Sequence, residues 1–325
     1  MKRICEDSFP AESLAYAYED SFPLENFEEE KMLEEQAYYT NQIEQGSDYE
    51  MHVCLDFFNK RIRVDDYRGN IDAIYGRMCE LAGQHALTKA FVKSREEDWP
   101  AFLSKGCMLE GIYKGYFRGG DAYCMAVYFD LERRTSEFWI EEDQILGQVL
   151  QLPLKPERPQ IPADCTLRIA QPEDAEALAA LYGQVFQTYP TPMSQSWYVE
   201  KVIREGTVFY IVEQAGLLIS AASAEINEAY RNAEITDCAT LPAYRKLGLM
   251  RVLIYALEEE LRSRNIYCAY SLARALSFGM NAALGQMGYR YYGRLTKSVE
   301  IYDKFEDMNL WVKDLAQQEE GRNDN

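Results

Sequence analysis

The stretch that decides the fold is Thr236-Asp237-Cys238-Ala239-Thr240-Leu241-Pro242-Ala243-Tyr244-Arg245-Lys246-Leu247-Gly248-Leu249-Met250. A predicted strand ends before Pro242, a short turn follows, and a long amphipathic helix begins at Gly248. The first N–H groups of a helix have no partner inside it, and the helix dipole favours an anion there. Gly248 has no Cβ, so the backbone can approach a ligand closely. The turn therefore predicts a binding site for a pyrophosphate.

Residues 165–315 around this turn are predicted to form an α/β domain. Pro172 suits the first turn of a helix, and Glu173 and Asp174 favour its positive end. Hydrophobic periodicity indicates the other elements. We expect a strand, two helices, three strands, a helix, a strand, a helix and two strands, at Thr166–Ala170, Pro172–Tyr189, Ser194–Arg204, Val208–Val212, Leu217–Ile226, Asn232–Thr240, Gly248–Asn265, Tyr267–Leu272, Ala275–Met287, Tyr289–Leu295 and Met308–Lys313.

A second α/β unit is predicted over residues 51–152. Strand Thr88–Lys93, a helix, Gly106 and two paired strands repeat the order of strand Tyr267–Leu272, a helix, Gly288 and two paired strands. This order favours a degenerate partial copy of residues 165–315; a chance likeness is the alternative. Residues 153–164 carry four prolines and are predicted to be a linker, because proline interrupts helices and central strands. We expect strand, helix, strand, helix, strand and strand at Lys60–Val64, Asn70–Gln84, Thr88–Lys93, Glu96–Lys105, Met108–Tyr116 and Tyr123–Phe129.

The first 50 residues form a separate, acidic segment. They hold 14 acidic and three basic residues, and the resulting charge of −11 is more than half of the net charge of −19. The sequence EDSFP occurs at Glu6–Pro10 and again at Glu19–Pro23. A pair of docking motifs is one interpretation, and a small duplication in a flexible extension is the other. Within it, Leu24–Gln45 has helical periodicity, and residues 316–325 are predicted to be a polar tail.

Composition excludes several classes of function. The excess of acidic residues disfavours nucleic acid as a partner but suits a cationic small molecule. No apolar run is long enough to span a bilayer and the start lacks a secretory signal, so we expect a cytoplasmic protein without a membrane partner. Two histidines and eight cysteines without a C-x-x-C pair make a zinc site or a His-based triad improbable, and we expect no metal.

The turn resembles the signature of the GNAT N-acetyltransferase family, [RQ]-x-x-G-x-[GA], and matches it at Arg245 and Gly248 but not at Met250. The resemblance implies the acyl-CoA N-acyltransferase fold, a mixed and mostly antiparallel sheet flanked by helices, with acetyl-CoA as co-substrate. On this fold, residues 51–152 would be a degenerate GNAT-like half. The implied contacts to acetyl-CoA are Ala239, Thr240, Leu241, Arg245, Lys246, Leu247, Gly248, Leu249, Met250, Ser277 and Asn281.

A closer resemblance is to the bacterial and archaeal β-lysine N-acetyltransferases, over roughly residues 52–315. It implies acetylation of the side-chain amine of β-lysine, which gives N6-acetyl-β-lysine, a compatible solute. The segments that carry it are Val185–Pro190, Ser223–Glu225, Asn232–Asp237, Ala273–Ala275, Gly279–Asn281 and Phe305–Trp311, with Phe57, Asn59, Arg61, Asp65, Tyr67 and Arg68 in the front half.

Acetyl transfer needs a deprotonated amine, because an alkylammonium with a pKa near 10.4 cannot attack a thioester. A neighbouring carboxylate can accept the proton, and a free N–H, expected near residues 238–240, can stabilise the oxyanion. The candidate bases are Glu234, Asp237 and Glu225; strand alternation separates the first two unless a bulge intervenes. The expected substrate contacts are Tyr189, Ser223, Glu225, Asp237 and, for the carboxylate, Arg274.

Some features leave alternatives open. Many GNAT enzymes place a tyrosine acid four residues before the glycine that follows the last helix, but Leu284 occupies that position before Gly288. Tyr289, Tyr291 or Tyr292 would have to replace it, or the thiolate leaves unaided. The alternatives are an acetyltransferase for another diamine, polyamine or lysine-like amine, a protein-lysine acetyltransferase, and a non-catalytic acetyl-CoA sensor. The sequence leaves the oligomeric state open.

Overall fold

The computed structural model describes residues 24–302 and 304–316, and its strands form one 13-stranded sheet. Both EDSFP segments and residues 317–325 of the predicted tail lie outside the described residues. The elements of the front half are α1 (Leu24–Tyr38), β1 (Tyr39–Gln45), β2 (Tyr49–Asp56), β3 (Arg61–Gly69), α2 (Ile71–Gln84), β4 (Lys89–Ser94), α3 (Trp99–Ser104), β5 (Met108–Phe117), β6 (Gly120–Tyr128) and α4 (Trp139–Leu150).

The rear half follows residues 153–164, which contain no helix or strand. Its elements appear in the order expected from the sequence, although the first helix ends at Val185 rather than at Tyr189. They are β7 (Cys165–Ile169), α5 (Ala175–Val185), α6 (Ser196–Arg204), β8 (Val208–Gln214), β9 (Leu217–Asn227), β10 (Asn232–Thr240), α7 (Leu249–Ser263), β11 (Cys268–Arg274), α8 (Phe278–Gln286), β12 (Arg290–Ile301) and β13 (Lys304–Asp314).

The two halves share a topology. The strand order is β1-β2-β3-β4-β6-β5-β12-β13-β11-β10-β9-β8-β7. Each half has one parallel pair joined by a helix, β3–α2–β4 and β10–α7–β11, and the other pairs are antiparallel. In each half a hairpin follows, and its second strand lies beside the parallel pair. The α/β fold of mixed, mostly antiparallel sheet and helices is confirmed, and within the described part of the front half no element corresponds to β7 or α5.

The halves meet at a seam between β5 and β12, where Gly111 pairs with Gly293. A Cβ at Gly293 would lie 2.2 Å from the carbonyl oxygen of Glu110, and Gly293 has a φ of +142°, so this approach requires glycine. Next to the seam, the buried Lys89 ammonium donates to Glu110 Oε1 (2.9 Å) and to the carbonyl oxygen of Thr296 (2.7 Å). Apolar side chains from both halves form one core around these contacts.

Two expectations for the front half were wrong in their bounds. The predicted helix Leu24–Gln45 ends at Tyr38, and Tyr39–Gln45 is a strand that pairs antiparallel with β2 from Tyr39↔Asp56 to Gln45↔Glu50. Residues 39–50 therefore belong to the sheet and not to a flexible extension. The helical pattern of apolar residues continued across the boundary, and only the pairing with a partner strand decides the conformation there. Strand β2 and helix α4 were missed.

Candidate active site

The sheet of the rear half opens between β10 and β11. These parallel strands pair from Asn232↔Cys268 to Glu234↔Tyr270, and β10 then continues to Thr240 without a partner on β11. The backbone groups on that edge of β10 are thus free of β11 beyond Glu234. An opening of this kind leaves room for a chain-like ligand between two strands and offers it N–H donors, as the sequence analysis expected near residues 238–240.

Helix α7 starts at the mouth of this opening. Its N-cap, Gly248, has a φ of +76° and offers no side chain for capping. Among the described residues, the amides of residues 246–250 have no hydrogen-bond partner, and residues 245–248 are exposed. A Cβ at Gly248 would meet nothing within 4 Å, so its positive φ, rather than a tight contact, requires glycine. This cluster of free amides at the start of a 15-residue helix fits a diphosphate.

Met250 does not obstruct that cluster. Its half-buried side chain packs against the hydrophobic core of the rear half, so the residue that departs from the family signature points inward. Arg245 is exposed and its Nε donates to the carbonyl oxygen of Thr240 (3.3 Å), at the end of β10. Ala239 and Leu241 are buried, and the amide of Leu241 already donates to the carbonyl oxygen of Ile219 (3.0 Å), so neither side chain offers a contact to a cofactor.

The corresponding turn of the front half is closed. The side chain of Asn70 accepts hydrogen bonds from the amides of Asp72 (2.9 Å) and Ala73 (3.3 Å) at the start of α2. Donors that are free in the rear half are therefore satisfied internally in the front half. This difference explains why only one of the two related turns is a candidate anion site.

A β-bulge brings three carboxylates together. Glu225 on β9 and Glu234 on β10 are direct cross-strand partners. The register shifts between Thr236 and Ala239, and Asp237 inside this bulge has a φ of +49°. The bulge breaks the alternation of side chains along β10. The charge of Asp237 raises the pKa of Glu225, and the charge of Glu225 raises the pKa of Glu234. All three candidate bases therefore face one cleft.

Hydrogen bonds hold Asp237 rigidly. Ser223 Oγ donates to its Oδ2 (2.6 Å), Tyr189 OH donates to its Oδ1 (3.0 Å), and Tyr182 OH donates to its backbone carbonyl (2.8 Å). Ser223 is fully buried. The hydroxyls of Ser223 and Tyr189, expected to contact the substrate, are thus committed to Asp237 and position it.

The three carboxylates hold protons more tightly than usual. Burial and the charge of Asp237 raise the pKa of Glu225, and burial and the charge of Glu225 raise the pKa of Glu234, each to about 7. Burial raises the pKa of Asp237 to about 6, against the opposing effect of its two hydroxyl donors. Glu225 nevertheless has the accessible surface of an exposed residue. Its carboxyl group is therefore surrounded by protein and still accessible, which is the environment expected at the wall of a cleft.

The front half supplies the opposite wall of the cleft. Lys93 Nζ donates to Asp65 Oδ1 (2.8 Å), and it lies 5.9 Å from the ring centroid of Tyr270, the register partner of Glu234. Arg63 Nη2 donates to Asp65 Oδ2 (3.2 Å). Burial opposes ionisation of Asp65, but these two cations hold the pKa of its carboxyl well below the usual range. Arg63 and Lys93 were not identified from the sequence, where they read as ordinary strand residues.

The N-terminal segment and a hairpin complete the enclosure. The hydroxyls of Tyr39 on β1 and Tyr198 on α6 are 3.2 Å apart, and Lys201 on α6 donates to Glu35 Oε2 (2.6 Å). The amide of Tyr302, in the turn after β12, donates to Thr188 Oγ1 (2.6 Å). The cleft is therefore bounded by elements from both halves.

Three expected site residues have other surroundings. Arg274 lies 3.9 Å from Glu306 and above the ring of Tyr302, so its contacts are with the hairpin rather than with the three carboxylates. Ser277 is the N-cap of α8 without a side-chain capping bond. Asn281 as a cofactor contact was wrong. It is fully buried, its Nδ2 donates to two backbone carbonyls, and its Oδ1 accepts from Asn309 and Trp311, which leaves no capacity for a ligand.

The remaining nucleophile and acid candidates are buried. Burial raises the pKa of the Cys238 thiol, which keeps it protonated and unsuited to attack. Tyr289 is 3% exposed and packs in the rear core, and Tyr291 packs against Trp311. Within residues 24–302 and 304–316, no three His, Cys, Asp or Glu side chains are arranged to hold a metal ion, and no helix has the length and apolarity to cross a bilayer.

The opened parallel pair, the free amides at the start of α7 and the adjacent carboxylates fit the requirements of an acetyl transfer site. Residues 175–283 match the model of the acetyltransferase (GNAT) family. The chain is 41% identical to N-acetyltransferase YodP of Bacillus subtilis over 260 residues, which are 80% of this chain and 94% of that protein. The chain belongs to the GNAT N-acetyltransferase family.

Two archaeal relatives carry a more specific name. The β-lysine N(6)-acetyltransferase of Methanosarcina mazei is 35% identical over 77% of this chain and 100% of its own length. The enzyme of the same name from Methanococcus maripaludis is 31% identical over 80% of this chain and 95% of its own length. These alignments are longer than residues 165–315, so they include much of the front half.

Proposed function

We propose that this N-acetyltransferase acetylates the side-chain amine of β-lysine to give N6-acetyl-β-lysine, a compatible solute. The observation that carries the proposal is the convergence of Glu225, Glu234 and Asp237 in one enclosed cleft beside the opening of β10 and β11. A cluster of carboxylates in a desolvated site favours a substrate with ammonium groups. The names of the two archaeal relatives support the same substrate.

Acetyl-CoA supplies the acetyl group as a reactive thioester when bound. The free amides of residues 246–250 would hold its diphosphate, and Arg245 adds a positive charge next to them. The unpaired edge of β10 beyond Glu234 offers N–H donors at the reacting end of the opening. These residues would bind and orient the co-substrate mainly through backbone N–H groups.

Glu234 is the proposed base. It is the last residue of β10 that pairs with β11, so it lies at the start of the opening, and Glu225 across the register raises its pKa. A carboxylate with a pKa near neutrality accepts a proton from an ammonium group whose own pKa has been lowered by desolvation. Asp237, held by Ser223 and Tyr189, stays ionised at lower pH than the two glutamates and fixes the position of the amine.

The test is steady-state thiol release with acetyl-CoA and a panel of amines, followed by identification of the product by NMR. We expect β-lysine to be the best substrate, with the acetyl group on N6. Spermidine, α-lysine and lysine-containing peptides serve as competitors for the alternative functions. Turnover of spermidine equal to that of β-lysine would contradict the proposal.

A further inference from the structure

Arg63 is the cation of the cleft with unused hydrogen-bonding capacity. It lies on β3 of the front half, and it alternates with Ile62 and Val64, which are buried in the front core, so its side chain is on the opposite face of the strand, with Asp65. Its one hydrogen bond among the described residues runs from Nη2 to Asp65, and its Nε has no partner there. The side chain keeps 37% of its surface accessible.

Lys93, the other cation of the cleft, is more buried and has more partners. Its Nζ donates to Asp65 Oδ1 (2.8 Å) and Tyr116 OH (3.1 Å), and it lies within 6 Å of the ring centroids of Tyr113, Tyr116 and Tyr270. Ten per cent of its side-chain surface is accessible. Lys93 therefore fixes Asp65, whereas Arg63 can take a further anionic partner.

Arg63 also belongs to the same electrostatic environment as the carboxylates of the rear half. Its charge lowers the pKa of both Glu225 and Glu234, against the upward effects of burial and of neighbouring acids. The wall of the cleft thus carries carboxylates on one side and an underused guanidinium on the other. An amino acid with a distant amine has the complementary distribution of charge, whereas a polyamine has no group that matches Arg63.

We propose that Arg63 binds the carboxylate of the amine substrate and so selects amino acids over polyamines. This inference rests on the proposed function of the same site. It assigns selection of the substrate to the front half of the chain and acetyl transfer to the rear half. A guanidinium suits this role because it presents paired donors to a carboxylate in one plane.

The experiment compares two substrates in the full-length enzyme. 1,4-Diaminopentane is β-lysine with the carboxylate replaced by hydrogen, and both amines keep their spacing. Hydrogen bonds to a charged group contribute about 1.5–3 kcal/mol. We therefore expect the wild type to have a kcat/KM for β-lysine about 10- to 150-fold above that for 1,4-diaminopentane, and Arg63→Gln to abolish most of this preference.

Two further variants serve as controls. Arg68→Gln removes an exposed arginine from the same strand, paired with Glu50, and leaves the preference unchanged. Arg63→Lys keeps the charge without the paired donors and retains part of the preference. Because the preference is a ratio measured on one sample, partial unfolding of a variant does not change it.

The outcomes separate this inference from the proposed function. Loss of the preference in Arg63→Gln, with a much larger fall in kcat/KM for β-lysine than for 1,4-diaminopentane, supports the role of Arg63. An equal loss of turnover for both substrates, or a wild type without preference, overturns it while acetyl transfer to amines stands. A wild type that acetylates another amine but not β-lysine overturns the proposed substrate, and the inference with it.

Discussion

Glu225 and Glu234 are direct cross-strand partners on β9 and β10. Side chains at such positions have Cβ atoms about 5 Å apart, and like charges there destabilise the sheet. Repulsion between the two carboxylates therefore favours retention of a proton by the pair, and a positively charged substrate reduces this repulsion. The repulsion between Glu225 and Glu234 therefore affects three properties of the enzyme: its preference for a cationic substrate, its capacity to accept a proton and its stability without substrate.

Loss of the proposed base should affect turnover. Glu234→Gln is expected to lower kcat by about 100-fold or more, because general base catalysis typically contributes that much. In the wild type, kcat/KM should fall as pH decreases below about 7, where Glu234 is protonated. Pre-steady-state and steady-state thiol release over pH 5.5–9 measures both effects. Glu228→Gln, at an exposed position in the turn before β10, is the matched control, and a kcat equal to that of this control would exclude Glu234 as the base.

The same carboxylates should make the free enzyme less stable at high pH. A carboxyl group with a raised pKa in the folded state binds its proton more tightly there than in the unfolded chain. The stabilisation of the folded state by this proton is complete at pH values below 4.5, the usual pKa of a glutamate. It is lost as the pH rises to about 7, the raised pKa of Glu225. We expect Glu225→Gln to raise the thermal unfolding midpoint by about 2 °C or more at pH 8. The gain should shrink at pH 5; an equal gain at both pH values would rule out the electrostatic cause.

The assignment of the phosphate site can be tested with two matched glycines. Gly248 and Gly216 have φ values of +76° and +79°, and a Cβ at either would meet nothing within 4 Å. Alanine at each position should therefore cost a similar amount of stability, about 1 kcal/mol. Only Gly248→Ala is expected to raise the KM for acetyl-CoA, by about fivefold or more. The backbone strain at this position distorts the turn whose amides are proposed to bind the diphosphate. Equal KM values in both variants would argue against the turn.

Removing the donors that hold Asp237 should shift the pH dependence. The hydroxyls of Tyr189 and Ser223 lower the pKa of Asp237. Tyr189→Phe and Ser223→Ala should each raise it, so the acidic limb of the kcat/KM profile moves to higher pH. We expect kcat to fall by about 5- to 10-fold in each, which corresponds to one hydrogen bond. A lower kcat with an unmoved pH profile would mean that the two hydroxyls act only through packing.

The seam between the halves depends on a buried ion pair. Lys89 is fully buried, and its Nζ donates to Glu110 and to Thr296. Lys89→Met should destabilise the protein by about 3–5 kcal/mol, because it leaves a buried carboxylate without its cation. Lys114→Met, on β5 like Glu110, removes a more accessible ion pair with Asp121 and should cost less than about 1 kcal/mol in chemical denaturation. Equal losses in the two variants would show that the buried pair does not stabilise the seam.

The local patterns of the chain were sufficient for the elements of the rear half and for the turn that precedes α7. The strand, Pro242, Gly248 and the amphipathic helix are contiguous, so a single stretch of sequence predicts this turn and the proposed anion site on it. The same holds for Glu225 and Glu234, which lie on adjacent strands joined by a short turn. Contiguous signals of this kind do not depend on the tertiary arrangement.

The contribution of the front half could not be predicted in this way. Arg63, Asp65 and Lys93 reach the cleft only because the two half-sheets join through Gly111 and Gly293. No periodicity in the sequence encodes that pairing. The role of Asn281 was missed for a related reason, since the side chains of Asn309 and Trp311 that donate to it come from β13. The role of Ser223 depends instead on the β-bulge that turns Asp237 towards it.

The glycine seam has a consequence for how new specificities arise in this architecture. Under the proposed assignment, the rear half holds the acyl donor and Arg63 of the front half binds the carboxylate of the acceptor. Recombination that exchanges residues 51–152 between homologous enzymes would then exchange this part of acceptor selection as a unit. Such chimeras must keep glycine on both sides of the junction, since a side chain at Gly293 would collide with the neighbouring backbone. Evolution can therefore vary the acceptor without disturbing the machinery that carries the acyl group.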